Sequence, residues 1–173
     1  MKRIITALVN NKSGVLNRIT GLFARRNYNI ESITVGMTEN PTISRMTFVV
    51  ATDDMKSVEQ VIKQLNKQVD VLKVKDITDE SIVARELALI QISVTAQQRG
   101  EVAAVITPFR ASIIDVGRDN MTIQITGDHQ KVEAFIDLLR PYGIKELART
   151  GVTAFNRGTK HPVTDPYRLT LIN

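Results

Sequence analysis

Two copies of one periodicity order run along the 173 residues, and that doubling constrains the fold more than any other feature. In the first half, strand-like runs rich in Ile, Val, Thr and Phe cover Arg3 to Val9, Ile30 to Met37 and Ile43 to Ala51. Between the first two, Val15, Leu16, Ile19, Leu22 and Phe23 recur at helical spacing along one face. Ser13 stands where it could cap that helix, and Arg25 and Arg26 suit its C-terminal dipole. A second helix follows Asp53 and Asp54, which read as its cap, with Val58, Val61, Ile62 and Leu65 on one face. A short strand from Val69 to Val74 completes the order βαββαβ.

The order then recurs. Ala88, Ile90, Ile92 and Val94 alternate with Leu89, Gln91 and Ser93 as a strand. Val102, Val105, Ile106 and Phe109 mark a helix that Pro108 ends near Thr107. Ser112 to Val116 and Met121 to Thr126 read as a hairpin across Gly117 to Asn120. Val132, Phe135, Ile136 and Leu139 mark a helix capped by Asp128 and stopped by Pro141 and Gly143, and Ile144 to Ala148 is a last strand. Two copies are too few for a solenoid, so the expected class is α+β, with two ferredoxin-like βαββαβ domains. The expected boundaries are 2–78 for the first domain, 79–85 for a polar linker, 86–158 for the second domain and 159–173 for a polar tail.

The formal net charge of +5 would suit an acidic partner, nucleic acid included. It is unevenly placed. Residues 140–173 hold six basic side chains against Glu146 and Asp165, whereas the preceding residues hold 17 basic and 16 acidic. No basic groove with stacking aromatics is therefore expected in the folded halves. The βαββαβ order is also that of an RNA-binding module, which needs aromatics on its central strands. Here Ser44 to Val50 carries one aromatic, Phe48, on the apolar side with Met46 and Val50, so no nucleic-acid partner is expected. The chain has no cysteine, which excludes disulfides, thiolate metal sites and cysteine nucleophiles. After Lys2 and Arg3 the apolar run lasts only from Ile4 to Val9, shorter than a secretory signal requires, and no run approaches a membrane span. The cytoplasm is the expected compartment, with no membrane partner.

Motifs for catalysis are missing. No phosphate-binding glycine loop, nucleophile elbow or paired-histidine zinc motif occurs. His129 reads as a solvated residue in the first turn of a helix and His161 as part of the polar tail, and no ligand set surrounds either. Neither a catalytic residue nor a metal site is assigned.

The segment with chemical content is the turn Asn10-Asn11-Lys12-Ser13-Gly14-Val15-Leu16, leading from the first strand into the first helix. The first amides of a helix lack internal partners and carry the positive end of its dipole, so they attract a carboxylate. Gly14 permits close approach to the backbone, and Asn11 offers both donors and an acceptor. The same residues also suit a plain cap and turn. Spacing alone leaves both readings open.

The run Asn11-Lys12-Ser13-Gly14-Val15-Leu16-Asn17-Arg18-Ile19, continuing through Gly21 to Val35, resembles the amino-terminal ACT domain of the regulatory small subunits of acetolactate synthase, also called acetohydroxyacid synthase. Ser44-Arg45-Met46-Thr47, Phe109-Arg110-Ala111 and Ile114-Asp115-Val116 extend the likeness. So do Arg149-Thr150-Gly151, Ala154 and Arg157-Gly158, and coverage reaches residues 2–158. Thr159 to Asn173 matches nothing placed.

The resemblance implies a non-catalytic chain that pairs as a homodimer through its ACT domains. It implies as partner the large catalytic subunit, which alone would carry thiamine diphosphate, magnesium and FAD. It also implies feedback inhibition by valine, or by leucine or isoleucine, in branched-chain amino-acid biosynthesis. By motif position, Asn11, Ser13, Gly14, Val15 and Leu16 would form the effector site from the first turn, and Asn29 and Ile30 would reach it from the neighbouring protomer. The alternatives are an ACT-domain sensor of another amino-acid enzyme and a small enzyme of ferredoxin-like fold.

Overall fold

Strand β1 (Lys2–Asn10) buries Ile5, Ala7 and Val9 on one side, the alternation of a sheet with helices on that face. It leads through α1 (Val15–Arg25), β2 (Asn29–Met37), β3 (Ile43–Ala51) and α2 (Met55–Asn66) to β4 (Val71–Asp76). The structure, a computed structural model, describes residues 2–52 and 55–158. Asp53 and Asp54, expected to cap α2, lie outside the described residues, as do His161 and the rest of the tail from Thr159.

The first sheet is antiparallel in the order β2-β3-β1-β4, with β1 held against β3 from Lys2↔Ala51 to Asn10↔Ile43. Both helices lie on the face of Ile5, Ala7 and Val9. Val15, Ile19, Leu22 and Phe23 of α1 meet Val58, Val61 and Leu65 of α2 above Met46, Phe48 and Val50. Phe23 and Phe48, both fully buried, stack at 5.1 Å between ring centroids.

The second half repeats the plan with β5 (Ile82–Ser93), α3 (Arg99–Ile106), β6 (Ser112–Val116), β7 (Asn120–Gly127), α4 (His129–Leu139) and β8 (Ile144–Arg149). Its sheet order is β6-β7-β5-β8, which maps strand for strand onto the first. Phe135 packs beneath Phe109 at 5.0 Å. The Asp128 carboxylate accepts the Lys131 amide at 2.9 Å and so starts α4 as expected. Two ferredoxin-like α+β domains are thus present.

Three details differ from what the sequence predicts. Ser13 does not cap α1. The N-cap is Gly14, at φ 81°, and no side chain bonds to the helix end there. β4 begins at Val71, because a turn bond from the Val71 amide to Gln68 leaves Val69 fully outside the sheet. α3, by contrast, ends at Ile106 with Thr107 as its C-cap, where Pro108 was expected to end it, and a 3-10 turn continues the chain through Phe109. Residues 82–85, read as part of the linker, are the first four residues of β5 and pair with a further strand, β9 (Thr153–Asn156).

No periodicity announces a strand as short as β9, yet it joins the two halves. It lies on the helix-free face of the first sheet, where Val152 and Ala154 form a small third core with Val49 and Ile77. The Val152 amide donates to Ser32 Oγ at 3.0 Å, and Thr34 Oγ1 donates to the Val152 carbonyl at 2.9 Å. The Ala154 amide donates to Thr47 Oγ1 at 3.4 Å. Among the described residues, no helix is long and apolar enough to cross a membrane.

Candidate functional site

The β1–α1 turn is tied down on both sides. The Asn10 amide donates to the Asp70 carbonyl at 2.8 Å, and the Asn11 amide to the Thr42 carbonyl at 2.8 Å. Asn11 Nδ2 is already engaged with the Pro41 carbonyl at 3.0 Å, so its side chain holds the neighbouring β2–β3 loop in place. The Lys12 amide bonds back to Asn10, which folds the chain sharply toward Ser13, whose side chain is exposed.

Gly14 completes the turn. Its positive φ strains any residue with a side chain, and an added Cβ would lie 3.4 Å from the Arg18 guanidinium. The first helical bond runs from the Arg18 amide to the Gly14 carbonyl. The amides of Leu16 and Asn17 therefore precede the hydrogen-bond ladder and face out of the helix end. The Val15 side chain belongs to the first core at 3% exposure, so Val15 can offer a ligand only its backbone, whereas Leu16 is 43% exposed.

Charge around the turn is net positive. Arg18 and Lys12 face the single carboxylate of Asp70, which Arg18 engages closely and Lys12 approaches at 3.8 Å. The hydrogen bond from Asn10 holds the Asp70 carboxyl below its ordinary value, with Arg18 and Lys12 adding to it against partial desolvation. Two cations, one anion and a helix N-terminus make this end of the sheet receptive to a small carboxylate.

Asn29 and Ile30 are elsewhere. Asn29 is exposed and pairs with Ala51, whereas Asn10 pairs with Ile43 at the opposite end of β3. Along β3 that separation is about 27 Å at ordinary strand rise. One chain does not bring Asn29 and Ile30 to Gly14. The structure thus gathers Asn11, Ser13, Gly14, Val15 and Leu16 at one end and leaves Asn29 and Ile30 at the other.

Two concavities were not anticipated. One, of about 800 Å³, opens between the domains over Ile4, Ile33, Val49 and Val152. At its rim Arg149 binds Glu86 at 2.6 Å and also Glu133, with His129 Nδ1 3.4 Å from Glu86. Burial works against the Arg149 charge, but the hydrogen bonds to Glu133 and Glu86 outweigh it and raise its pKa further. Both carboxylates are spent on one guanidinium, so the cluster fastens β5, α4 and β8. His129 is half-exposed, as a first-turn residue should be, but it leans on this clamp instead of standing free in solvent. The Arg149-Thr150-Gly151 motif was the one signal pointing here. The other concavity, of about 370 Å³, lies on the helix-free face of the first sheet beside Phe155. Phe48 is buried in the core on the helix side, so the central strand β3 presents no aromatic ring on that face, where an RNA platform carries its stacking residues.

Comparison with known proteins adds the lineage. Residues 5–73 match the family model described as AHAS small subunit-like ACT domain, and residues 85–158 match the one described as small subunit of acetolactate synthase. The acetolactate synthase small subunit of Bacillus subtilis is 58% identical over 172 residues, covering 99% of this chain and all of that one. The probable acetolactate synthase small subunit of Archaeoglobus fulgidus is 58% identical over 160 residues, or 92% of this chain and 99% of its own. The crystal structure of the small subunit from Thermotoga maritima superposes with a TM-score of 0.83 at 43% identity, covering 92% of this chain and 99% of that one.

Proposed function

Because the chain belongs to the family of acetolactate synthase small subunits, we propose that it is the regulatory subunit that activates the catalytic subunit and makes it sensitive to valine. The observation that carries the effector site is the left-handed Gly14 at the mouth of α1. It sets free amides and net positive charge where a carboxylate can sit.

The sheet topology supports a site shared between two protomers. β2 is an edge strand with Val35 and Met37 exposed at 45% and 68%. It runs in the same direction as β1, since both are antiparallel to β3. Antiparallel pairing of β2 with its copy would therefore carry the partner protomer's start of β2, with its Asn and Ile at positions 29 and 30, toward the Gly14 end of this one. That arrangement gives a homodimer a reason to exist: neither chain holds the whole effector site. The chemistry on pyruvate, with thiamine diphosphate, magnesium and FAD, then belongs to the partner subunit.

Regulation follows by linkage. Valine held between protomers favours one arrangement of the dimer, and the catalytic subunit responds to that arrangement. Coupling of this kind is typically about 1–3 kcal/mol, or roughly 5–150-fold in affinity. The test is Gly14→Asp, which puts a second carboxylate and a strained Cβ into the turn. Calorimetry should show valine binding to the unaltered chain and none to the variant. Equal binding by both would remove the effector from this turn.

A further inference from the structure

The concavity on the helix-free face of the first sheet is lined by three cations, Arg45, Lys73 and Lys75. Strand register sets Arg45, Leu8 and Lys73 in one row across β3, β1 and β4, and Thr47, Thr6 and Lys75 in the next. Leu8 and Thr6 alternate with the core residues Ile5, Ala7 and Val9, so both rows face away from the helices. Lys75 is neutralised by Glu80 at 2.6 Å. Among the described residues no carboxylate pairs with Arg45 or Lys73, so Lys75 is the only cation of this concavity that meets an acid. Like charges flanking Leu8 on one sheet face repel each other, and folding gains nothing from them.

The wall of the concavity is Phe155 on β9, 52% exposed beside the two unpaired cations. An exposed aromatic next to an arginine, over the aliphatic floor of Leu8 and Ile77, is the composition of an interface anchor. β9 covers only the part of the face around Val49 and Thr47 and leaves the Arg45–Leu8–Lys73 row open.

We propose that this open half-face docks an acidic, apolar-tipped segment of the catalytic subunit, with Arg45 and Lys73 drawing its carboxylates and Phe155 packing against its side chains. The proposal rests on the regulatory reading above and adds the surface through which it acts. The position also connects to the effector strand. β9 continues from Val152, whose amide and carbonyl are held by Ser32 and Thr34 of β2.

The test compares association of the cognate catalytic subunit with three forms of the full chain: unaltered, Arg45→Glu with Lys73→Glu, and Lys56→Glu with Lys63→Glu on the exposed side of α2. The Arg45/Lys73 variant should bind at least about tenfold more weakly at low salt, with the deficit shrinking as salt rises. The Lys56/Lys63 variant, with the same change in net charge, should bind as the unaltered chain does, and valine binding should be the same in all three. Phe155→Ala should weaken association at high salt as well. Equal binding by the Arg45/Lys73 variant, or equal weakening by the Lys56/Lys63 variant, would overturn the docking surface. Failure of the unaltered chain to associate at all would instead overturn the regulatory reading, and the docking surface with it.

Discussion

Ser32 Oγ accepts the Val152 amide at 3.0 Å across 120 residues of sequence, and this bond holds the second domain's final strand against the first domain's edge strand. Gly151 makes the approach possible. It sits at φ 81°, and a Cβ there would lie 2.3 Å from Ser32 Oγ. Gly151→Ala should therefore cost on the order of 1–3 kcal/mol from backbone strain and the displaced contact. Ser32→Ala, which leaves the Val152 amide unpaired, should cost about 1 kcal/mol. Urea denaturation of both variants checks this, and an unchanged Gly151→Ala midpoint would show that β9 does not need its present seat.

The two aromatic centres are independent. Phe23 lies in the first core and Phe135 in the second, each without exposed surface. Truncating either to Ala should destabilise the protein by about 3–5 kcal/mol. Phe23→Ala should preferentially raise amide exchange in residues 2–52, and Phe135→Ala in residues 86–149. Uniform loss of protection in both variants would mean that the halves unfold as one unit.

Acid should loosen the first sheet. Arg3 and Asp76, 10% and 12% exposed, bond at 2.7 Å and join β1 to β4. Burial favours the neutral carboxyl of Asp76, but Thr78 and then Arg3 outweigh it and hold its pKa below the ordinary 3.8. A carboxyl depressed in the folded state stabilises it above the unfolded pKa, and that stabilisation fades as pH falls through the folded value. Stability should thus drop below about pH 4. Asp76→Asn should be less stable at neutral pH and should lose less on acidification. Parallel acid slopes for variant and unaltered chain would assign the acid sensitivity elsewhere.

Strong periodicity made most of this fold legible. Val58, Val61 and Leu65 predicted α2, and Asp128 predicted the start of α4, because apolar spacing and a capping carboxylate are local signals. β9 was not legible. Four residues carry too little alternation, and the strand exists because Val49, Ile77 and the start of β5 are there to receive it. The Ser13 cap was misplaced by one residue because a side-chain cap and a left-handed glycine both suit that turn, and backbone geometry decides between them. The glycine and helix start at Asn11 to Leu16 were legible, but spacing alone did not choose between a carboxylate site and a plain turn. The cations around it were not legible, since Arg18 and Lys12 meet Asp70 only once β4 has returned beside β1.

Reconstitution with the cognate catalytic subunit, measuring acetolactate formation from pyruvate with and without valine, addresses the regulatory assignment most directly. The isolated chain should show no turnover. Its addition should raise the activity of the catalytic subunit, and valine should then lower it, with that inhibition lost in Gly14→Asp. A catalytic subunit indifferent to this chain, with or without valine, would contradict the account.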